Sequence, residues 1–257
     1  MNILAHFRSL AACLILLVGC AAAQADQRED FLAGRTRKCA RCDLAGMNFK
    51  RRDLTGADLS GANLKQTNLH DAKLVGARLA GADLSGANLN KANLSRAELA
   101  GAVLRDAMLY AANLDGATLA GADLTDALMG VARLTRSDLT KAVLRNVDLR
   151  RARLAETILT GADLTAAALD LAFLRGAKLD GASLKDARLM GVEAINASLV
   201  GADLTDANAL GANFRGTDLS RALLAGTSFR RANMHETKLD GAIFGNTMMP
   251  DGTIRGP

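Results

Sequence analysis

A five-residue repeat runs through most of this 257-residue chain without a single insertion. Starting at Leu44 and stepping by five, all 41 positions as far as Phe244 are apolar, and most of them are Leu. Two residues before each of these, 30 of the 41 positions are Ala, and most of the exceptions are also small. A period of five fits neither an α-helix, at about 3.6 residues per turn, nor an ordinary strand, with its period of about 2. The pattern therefore predicts a repeat architecture.

The repeated motif is Ala-(Asp/Asn)-Leu-x-x, as in Ala57-Asp-Leu-Ser-Gly followed by Ala62-Asn-Leu-Lys-Gln. It resembles the pentapeptide-repeat family over residues 42–246. The resemblance implies an all-β chain folded as a right-handed quadrilateral parallel β-helix, with one pentapeptide on each side and about 20 residues in each coil. The Leu and Ala side chains would then point inward, and backbone groups would pair with the coils above and below. We expect about ten coils, stacked at about 4.8 Å into a rod roughly 50 Å long.

The chain divides into four segments: an export signal at residues 1–25, an N-terminal cap at 26–41, the β-helix at 42–246 and a C-terminal tail at 247–257. The apolar run from Leu10 to Val18 is too short to span a membrane and is typical of an export signal. Two cleavage signals overlap there, a lipobox ending at Cys20 and an A-x-A site ending at Ala25. We therefore predict an exported protein of the periplasm or cell envelope, and the sequence leaves open whether it is lipid-anchored at Cys20 or soluble.

One corner of the coil favours glycine. Gly fills eight of the ten equivalent positions from residue 61 to residue 241. A corner with this preference is one where the backbone has a positive φ, as in a type II turn. Lys141 and Arg221 occupy the other two positions, and we therefore expect those two corners to turn differently.

Cys39 and Cys42 form a C-x-x-C pair just before the first full repeat. The register places Cys39 at a Leu position and Cys42 at an Ala position, so both should face inward at the open end of the coil. We interpret the pair as a disulfide or thiol pair that closes this end. A redox-active site is the alternative reading of a C-x-x-C motif.

No combination of residues typical of catalysis is present. His70 and His235 would lie about eight coils apart, or roughly 40 Å, so they cannot act together. The chain has no Trp, one Tyr and two Pro, which is typical of a small-residue solenoid and not of an enzyme with aromatic pockets. We predict no catalytic residue, no cofactor and no metal site, and we predict that the protein is not an enzyme.

The gapless register sorts outward residues by side. The side through Leu64, here called the acidic side, carries nine acids and four bases, whereas the next side, through Leu69, here called the basic side, carries eight bases and three acids. Apolar residues also point outward midway along the basic side, which suggests a contact surface; the alternative is that long Arg side chains shelter them. The predicted partner surface consists of Met108, Tyr110, Leu128, Val131, Arg150, Arg151, Leu171, Met190 and Leu210.

Two functions remain open. The first is a non-catalytic cell-envelope protein that presents a rigid rod surface to a protein or an anionic surface. The second comes from the resemblance to quinolone-protection members of the family, acidic rods that mimic DNA and engage DNA gyrase. The net charge of +5 and the export signal favour the first. We expect a protein partner or self-association, no small-molecule substrate, no nucleic acid, and membrane contact only through a lipid anchor at Cys20.

Overall fold

The structure is a computed structural model that describes residues 26–256, so the predicted export signal and Cys20 lie outside the described residues. Residues 26–32 are helical, and from Lys38 onward a parallel β-bridge occurs at every fifth residue. Each bridge joins a residue to the one 20 positions later, from Lys38 with Asp58 to Ser228 with Met248. Four pentapeptides therefore complete one coil, and the chain forms a four-sided parallel β-helix. Within residues 26–256, no helix has the length and apolar character that a membrane crossing requires.

The repeated Leu and Ala side chains point into the coil, which confirms the predicted inward register. From Leu59 to Leu189, nearly all of them have 3% or less of their surface exposed. Four Leu-class side chains per coil, with small groups between them, fill the interior. Fully burying each one stabilises the fold by about 1.5–3 kcal/mol relative to leaving it exposed.

The same turn is used at every corner from residue 41 to residue 246. At one corner the N–H of Ala57 donates to the carbonyl of Leu54 over 3.0 Å, and φ of Gly56 is 63°. Lys141, with φ 55°, and Arg221, with φ 60°, adopt this conformation as well. The expectation that these two corners turn differently is therefore wrong. Every coil must turn through the same angles to keep its bridges, so the ladder imposes a positive φ on residues that would otherwise avoid it.

Where Asp or Asn precedes the Leu of a repeat, its side chain caps the turn that follows that Leu. The Oδ1 of Asp138 accepts the N–H of Thr140 at 2.9 Å, and the Oδ1 of Asn113 accepts the N–H of Asp115 at 3.0 Å. A short side chain with an acceptor oxygen stabilises this turn by accepting that backbone N–H. The repeated Asp/Asn therefore has a local structural cause and is not, by itself, a sign of a binding site.

Large and small core residues compensate one another near the C-terminal end. Residues 20 positions apart stack on one another in successive coils and form a column. Ala194 and Ala209 occupy Leu positions, and one coil later the same two columns carry Phe214 and Phe229. The two rings meet edge to face with centroids 5.5 Å apart. The hydroxyl of Thr217, at an Ala position, donates to the carbonyl of Ala194 at 2.7 Å, which satisfies a buried polar group without disturbing the packing.

The N-terminal cap closes the first coil through Arg52, which stands at an Ala position. Its Nη2 donates to the carbonyl oxygens of Phe31, at 2.5 Å, and Leu32, at 3.1 Å. Its guanidinium also lies 5.3 Å from the ring centroids of Phe31 and Phe49. Cys39 and Cys42 are joined by a disulfide and are 0% and 2% exposed.

A short hairpin follows the last coil. Strand β1 (Thr247–Met248) pairs antiparallel with strand β2 (Ile254–Arg255). The Arg255 guanidinium lies 3.7 Å from the centroid of the Phe244 ring, which is the last aromatic side chain of the core. Pro250 cannot donate to the ladder, but its carbonyl accepts the N–H of Arg231 at 2.9 Å.

Candidate binding surface

The predicted partner surface is one continuous strip along the basic side. Residues 20 apart in sequence are direct neighbours there, because Leu128 forms parallel backbone β-bridges with Met108 on one side and with Asp148 on the other. Leu128 is 50% exposed and Tyr110 is 53% exposed. Met108 and Met190 are half-buried, so they contribute less surface than the sequence predicted. The exposed apolar members of the strip are Tyr110, Leu128, Val131, Leu171 and Leu210.

Two glycines of the basic side make room for its large apolar side chains. A Cβ added at Gly130 would lie 3.5 Å from Cδ2 of Tyr110, so the tyrosine ring rests against the glycine of the next coil. A Cβ added at Gly191 would lie only 2.8 Å from Cδ2 of Leu171, which is closer than real contacts allow. Both apolar side chains therefore lie along the surface, each over the coil that follows it.

A shallow groove of about 430 Å³ separates these two side chains. Its walls are apolar at both ends, and charged groups lie between them. The groove therefore places apolar and cationic side chains next to one another on the same side of the rod. Its lining residues are Tyr110, Gly130, Val131, Asp148, Arg150, Arg151, Asp170 and Leu171.

All three carboxylates of the basic side form ion pairs within that side. Arg150 donates to Asp148 through two bonds, from Nε at 2.8 Å and from Nη2 at 2.6 Å. The Arg150 guanidinium lowers the pKa of the Asp148 carboxyl, and the carboxylate in turn raises the pKa of Arg150. Arg188 pairs with Asp170, which is only 8% exposed, and Arg51 lies 3.4 Å from Asp71. The side therefore presents no unpaired negative charge.

Five of the eight basic residues on this side lack an ion-pair partner among residues 26–256. They are distributed along the whole rod, at its N-terminal end, beside the groove and at its C-terminal end. The exposed apolar side chains lie between the two ends. The five residues are Lys50, Lys91, Arg151, Arg230 and Arg231.

Phe173 extends the apolar strip around the corner, and it is not among the surface residues predicted from the sequence. It is 48% exposed and lies two residues after Leu171, on the side that follows the basic side. In the ladder it stands between Arg153 and Glu193. The signal was present in the sequence, because the residues located 20, 40 and further multiples of 20 positions from Phe173 within the repeats are all polar.

The acidic side carries less free charge than its composition indicates. Of the nine acids on this side, four pair with the Lys or Arg located 18 residues earlier, and one such pair occurs in every 40 residues. Burial alone would raise the pKa of Asp123, but hydrogen bonds from Thr125 and the Arg105 guanidinium outweigh it, so this pKa is lowered. The four paired carboxylates are Asp83, Asp123, Asp163 and Asp203.

The remaining groups that could bear chemistry lie apart from one another. Among residues 26–256, no three His, Cys, Asp or Glu side chains converge in a way that could hold a metal ion. The backbone carbonyl of His70 accepts the N–H of Arg51, whereas that of His235 accepts the N–H of Gly216, close to the opposite end of the ladder. The sulfurs of Cys39 and Cys42 are bonded to each other inside the first coil.

Comparison with known proteins gives one family. The family model for pentapeptide repeats matches with eight copies, over residues 38–71, 53–90, 87–126, 132–165, 157–193, 193–221 and 210–246. The chain is 30% identical to HetL, a pentapeptide repeat protein involved in heterocyst differentiation regulation from the cyanobacterium Nostoc sp. strain PCC 7120, over 90% of this chain and 98% of HetL, with a TM-score of 0.44. It is 18% identical to full-length QnrB1, a plasmid-mediated fluoroquinolone resistance protein, over 81% of this chain and 94% of QnrB1, with a TM-score of 0.56. The comparison with curated proteins gave no match.

Proposed function

Because the chain belongs to the pentapeptide repeat family, whose members fold as right-handed quadrilateral β-helices, we propose that it is a non-catalytic scaffold of the cell envelope that binds a partner through its basic side. The resemblance noted in the sequence is thus confirmed, and so is the fold class. The location in the cell envelope and the absence of catalysis are parts of the proposal. They rest on the export signal that the sequence predicts at residues 1–25 and on the solenoid architecture.

One observation carries the proposal: the basic side combines exposed apolar side chains with cations that have no partner. An apolar centre with a charged rim is the arrangement found at interfaces. The alternative, that long Arg side chains shelter the apolar groups, has little support, because Leu128 and Leu171 remain 50% and 47% exposed. Arg150 is also held by Asp148 and is not free to cover its neighbours.

DNA mimicry is the second candidate, and the likeness to QnrB1 is its only support. At 18% identity that likeness concerns the fold alone. A mimic of DNA needs a continuous negative surface, because the duplex carries one charge for about every 1.7 Å of its axis. On the acidic side, four of the nine carboxylates are paired with Lys or Arg. These pairs favour the first function.

Site-directed photo-crosslinking in native cells tests the proposal. A benzoylphenylalanine in place of Tyr110 should give an adduct in the envelope fraction, and the same group in place of Thr118, which is exposed on the opposite side, should give none. Adding Leu128→Ser and Leu171→Ser should remove the adduct while the protein still folds. A control variant with Leu223→Ser and Ile243→Ser removes two exposed apolar side chains from the acidic side and should keep it. Equal adducts at both crosslinker positions, or neither a protein nor a lipid adduct at position 110, would refute the proposed function.

A further inference from the structure

We propose that the partner of the basic side is an anionic lipid bilayer, along which the rod lies with this side against the headgroups. This inference rests on the proposed function and names its partner. It differs from the expectation that membrane contact occurs only through a lipid at Cys20, because here the folded rod itself makes the contact. The residues that carry it are Leu128, Val131, Leu171 and the five unpaired cations of the basic side.

The spacing of the unpaired cations suits a planar anionic surface. Lys50 and Arg230 stand in the same column, nine coils apart, which is roughly 43 Å at about 4.8 Å per coil. Lys91 and Arg151 lie between them. Each basic side chain near an anionic leaflet contributes about 1 kcal/mol to binding, and this attraction acts only within about a Debye length. Because the five cations lie on one side of the β-helix, a planar surface can approach all of them at once.

The apolar side chains suit the interfacial layer of the same bilayer. Tyr110 and Leu210 mark the ends of a row that is five coils long, and Leu128, Val131 and Leu171 project between them. These side chains are spread along the row and are not gathered into a pocket. Apolar groups on a face rimmed by Lys and Arg are typical of surfaces that lie in the headgroup region, with the aliphatic groups directed toward the acyl chains.

Charge pairing on the basic side favours a lipid surface over a protein. Asp71, Asp148 and Asp170 all pair with arginines of the same side, so every unpaired charge that the side offers a partner is positive. A protein surface mixes both signs of charge, and recognition of a specific protein uses complementary charges of both signs. The acidic side lies a quarter turn away around the coil, so its unpaired Asp residues would not face the bilayer.

The chain contains no Trp, so one introduced Trp reports on its own position. Leu128→Trp places the reporter in the ladder column of the basic side, and Thr118→Trp places it in the ladder column of the opposite side. The full-length chain is mixed with phosphatidylglycerol vesicles that carry brominated acyl chains. We expect a blue shift and quenching at position 128 and neither at position 118. A rod held only by its N-terminal segment would show neither at either position, and it would refute the proposal.

Charge variants of the Leu128→Trp chain test the electrostatic part. The set Arg151→Gln, Arg230→Gln and Arg231→Gln should lower the partition constant by about 100-fold, at about 1 kcal/mol for each residue. The matched set Lys141→Gln, Lys178→Gln and Arg221→Gln removes the same charge from the opposite side and should have less than a tenth of that effect. Phosphatidylcholine vesicles should bind the parent more weakly still, because they attract none of the five cations, whereas the first set keeps Lys50 and Lys91.

The two proposals fail in different ways. No quenching at position 128, or equal quenching at 118 and 128, would overturn the lipid inference. If the photo-crosslinker at position 110 then gave one discrete protein adduct, the proposed function would stand and the partner would be a protein. If position 110 gave no adduct and the vesicles caused no quenching, both proposals would be refuted.

Discussion

Replacing Lys141 with glycine tests the finding that every corner has the same turn. Lys141 is exposed, its φ is 55°, and it has no ion-pair partner among residues 26–256. The variants Lys141→Gly and Lys141→Ala both remove its side chain, so the difference between them isolates the backbone. At positive φ a residue with a Cβ is less stable than glycine by about 1–2 kcal/mol. At negative φ the order reverses, because glycine costs about 0.5–1 kcal/mol relative to alanine.

The two geometries therefore predict opposite signs. Since 1 kcal/mol shifts the Tm of a domain of this size by about 2–4 °C, Lys141→Gly should melt about 2–8 °C above Lys141→Ala. Thermal unfolding followed by far-UV circular dichroism measures the difference. The same pair of substitutions at Arg221, with φ 60°, should reproduce it. A Gly variant that melts below its Ala counterpart at both positions would show that these corners turn differently, and it would refute the uniform ladder.

Three further predictions concern the core, the cap and pH. Leu144→Asp places a carboxylate at a position that is 0% exposed, and burying it costs several kcal/mol. Circular dichroism should therefore show a large loss of folded protein at room temperature. A melting curve like that of the parent would contradict the inward register. Arg52→Ala removes two charge-assisted hydrogen bonds, each contributing about 1.5–3 kcal/mol to stability. Backbone hydrogen exchange should therefore accelerate in residues 26–44 and not in the middle of the rod. Arg52→Lys should restore only part of the protection. The pKa values of Asp123 and Asp163 are lowered in the folded state, so below about pH 5 the unfolded chain binds more protons than the folded chain. The free energy of unfolding should therefore be level above about pH 5. It should fall as the pH drops through the ordinary pKa of 3.8 toward the lower pKa values of the folded state. Thr125→Val with Thr165→Val removes the hydroxyl donors and should flatten this fall, measured as urea midpoints between about pH 6 and about pH 3; an unchanged slope would contradict the assigned cause.

The sequence was sufficient for the register because the period is gapless. Once Leu44 and Phe244 belong to one uninterrupted series, the direction of every side chain between them follows. The corners were harder to predict. Glycine is only the preferred residue at a positive φ, and the requirement comes from the ladder itself, which Lys141 and Arg221 must satisfy as well.

Contacts between coils could not be predicted from the repeat alone. The pairing of Arg105 with Asp123 depends on which way a long side chain bends, and the five-residue pattern carries no information on that. Counting charges by side therefore overstated the free charge of the acidic side. Phe173 was missed because residues were assigned to separate sides, whereas exposed groups such as Leu171 and Phe173 form one surface across a corner.

Because each bridged residue pairs with the one 20 positions later, the number of coils can change while the structure of each coil stays the same. Deleting any 20 consecutive residues from the repeats returns Leu to Leu columns and removes one coil. The Asp–Lys/Arg pairs of the acidic side, however, recur every 40 residues, so a deletion or duplication of 40 keeps their regular spacing along the rod, whereas one of 20 interrupts it. Loss or gain of 20 or 40 residues would thus shorten or lengthen the protein by about 4.8 or about 9.6 Å at a time. Selection can therefore adjust the span of the protein to the distance it has to cover, with little effect on the stability of the coils that remain.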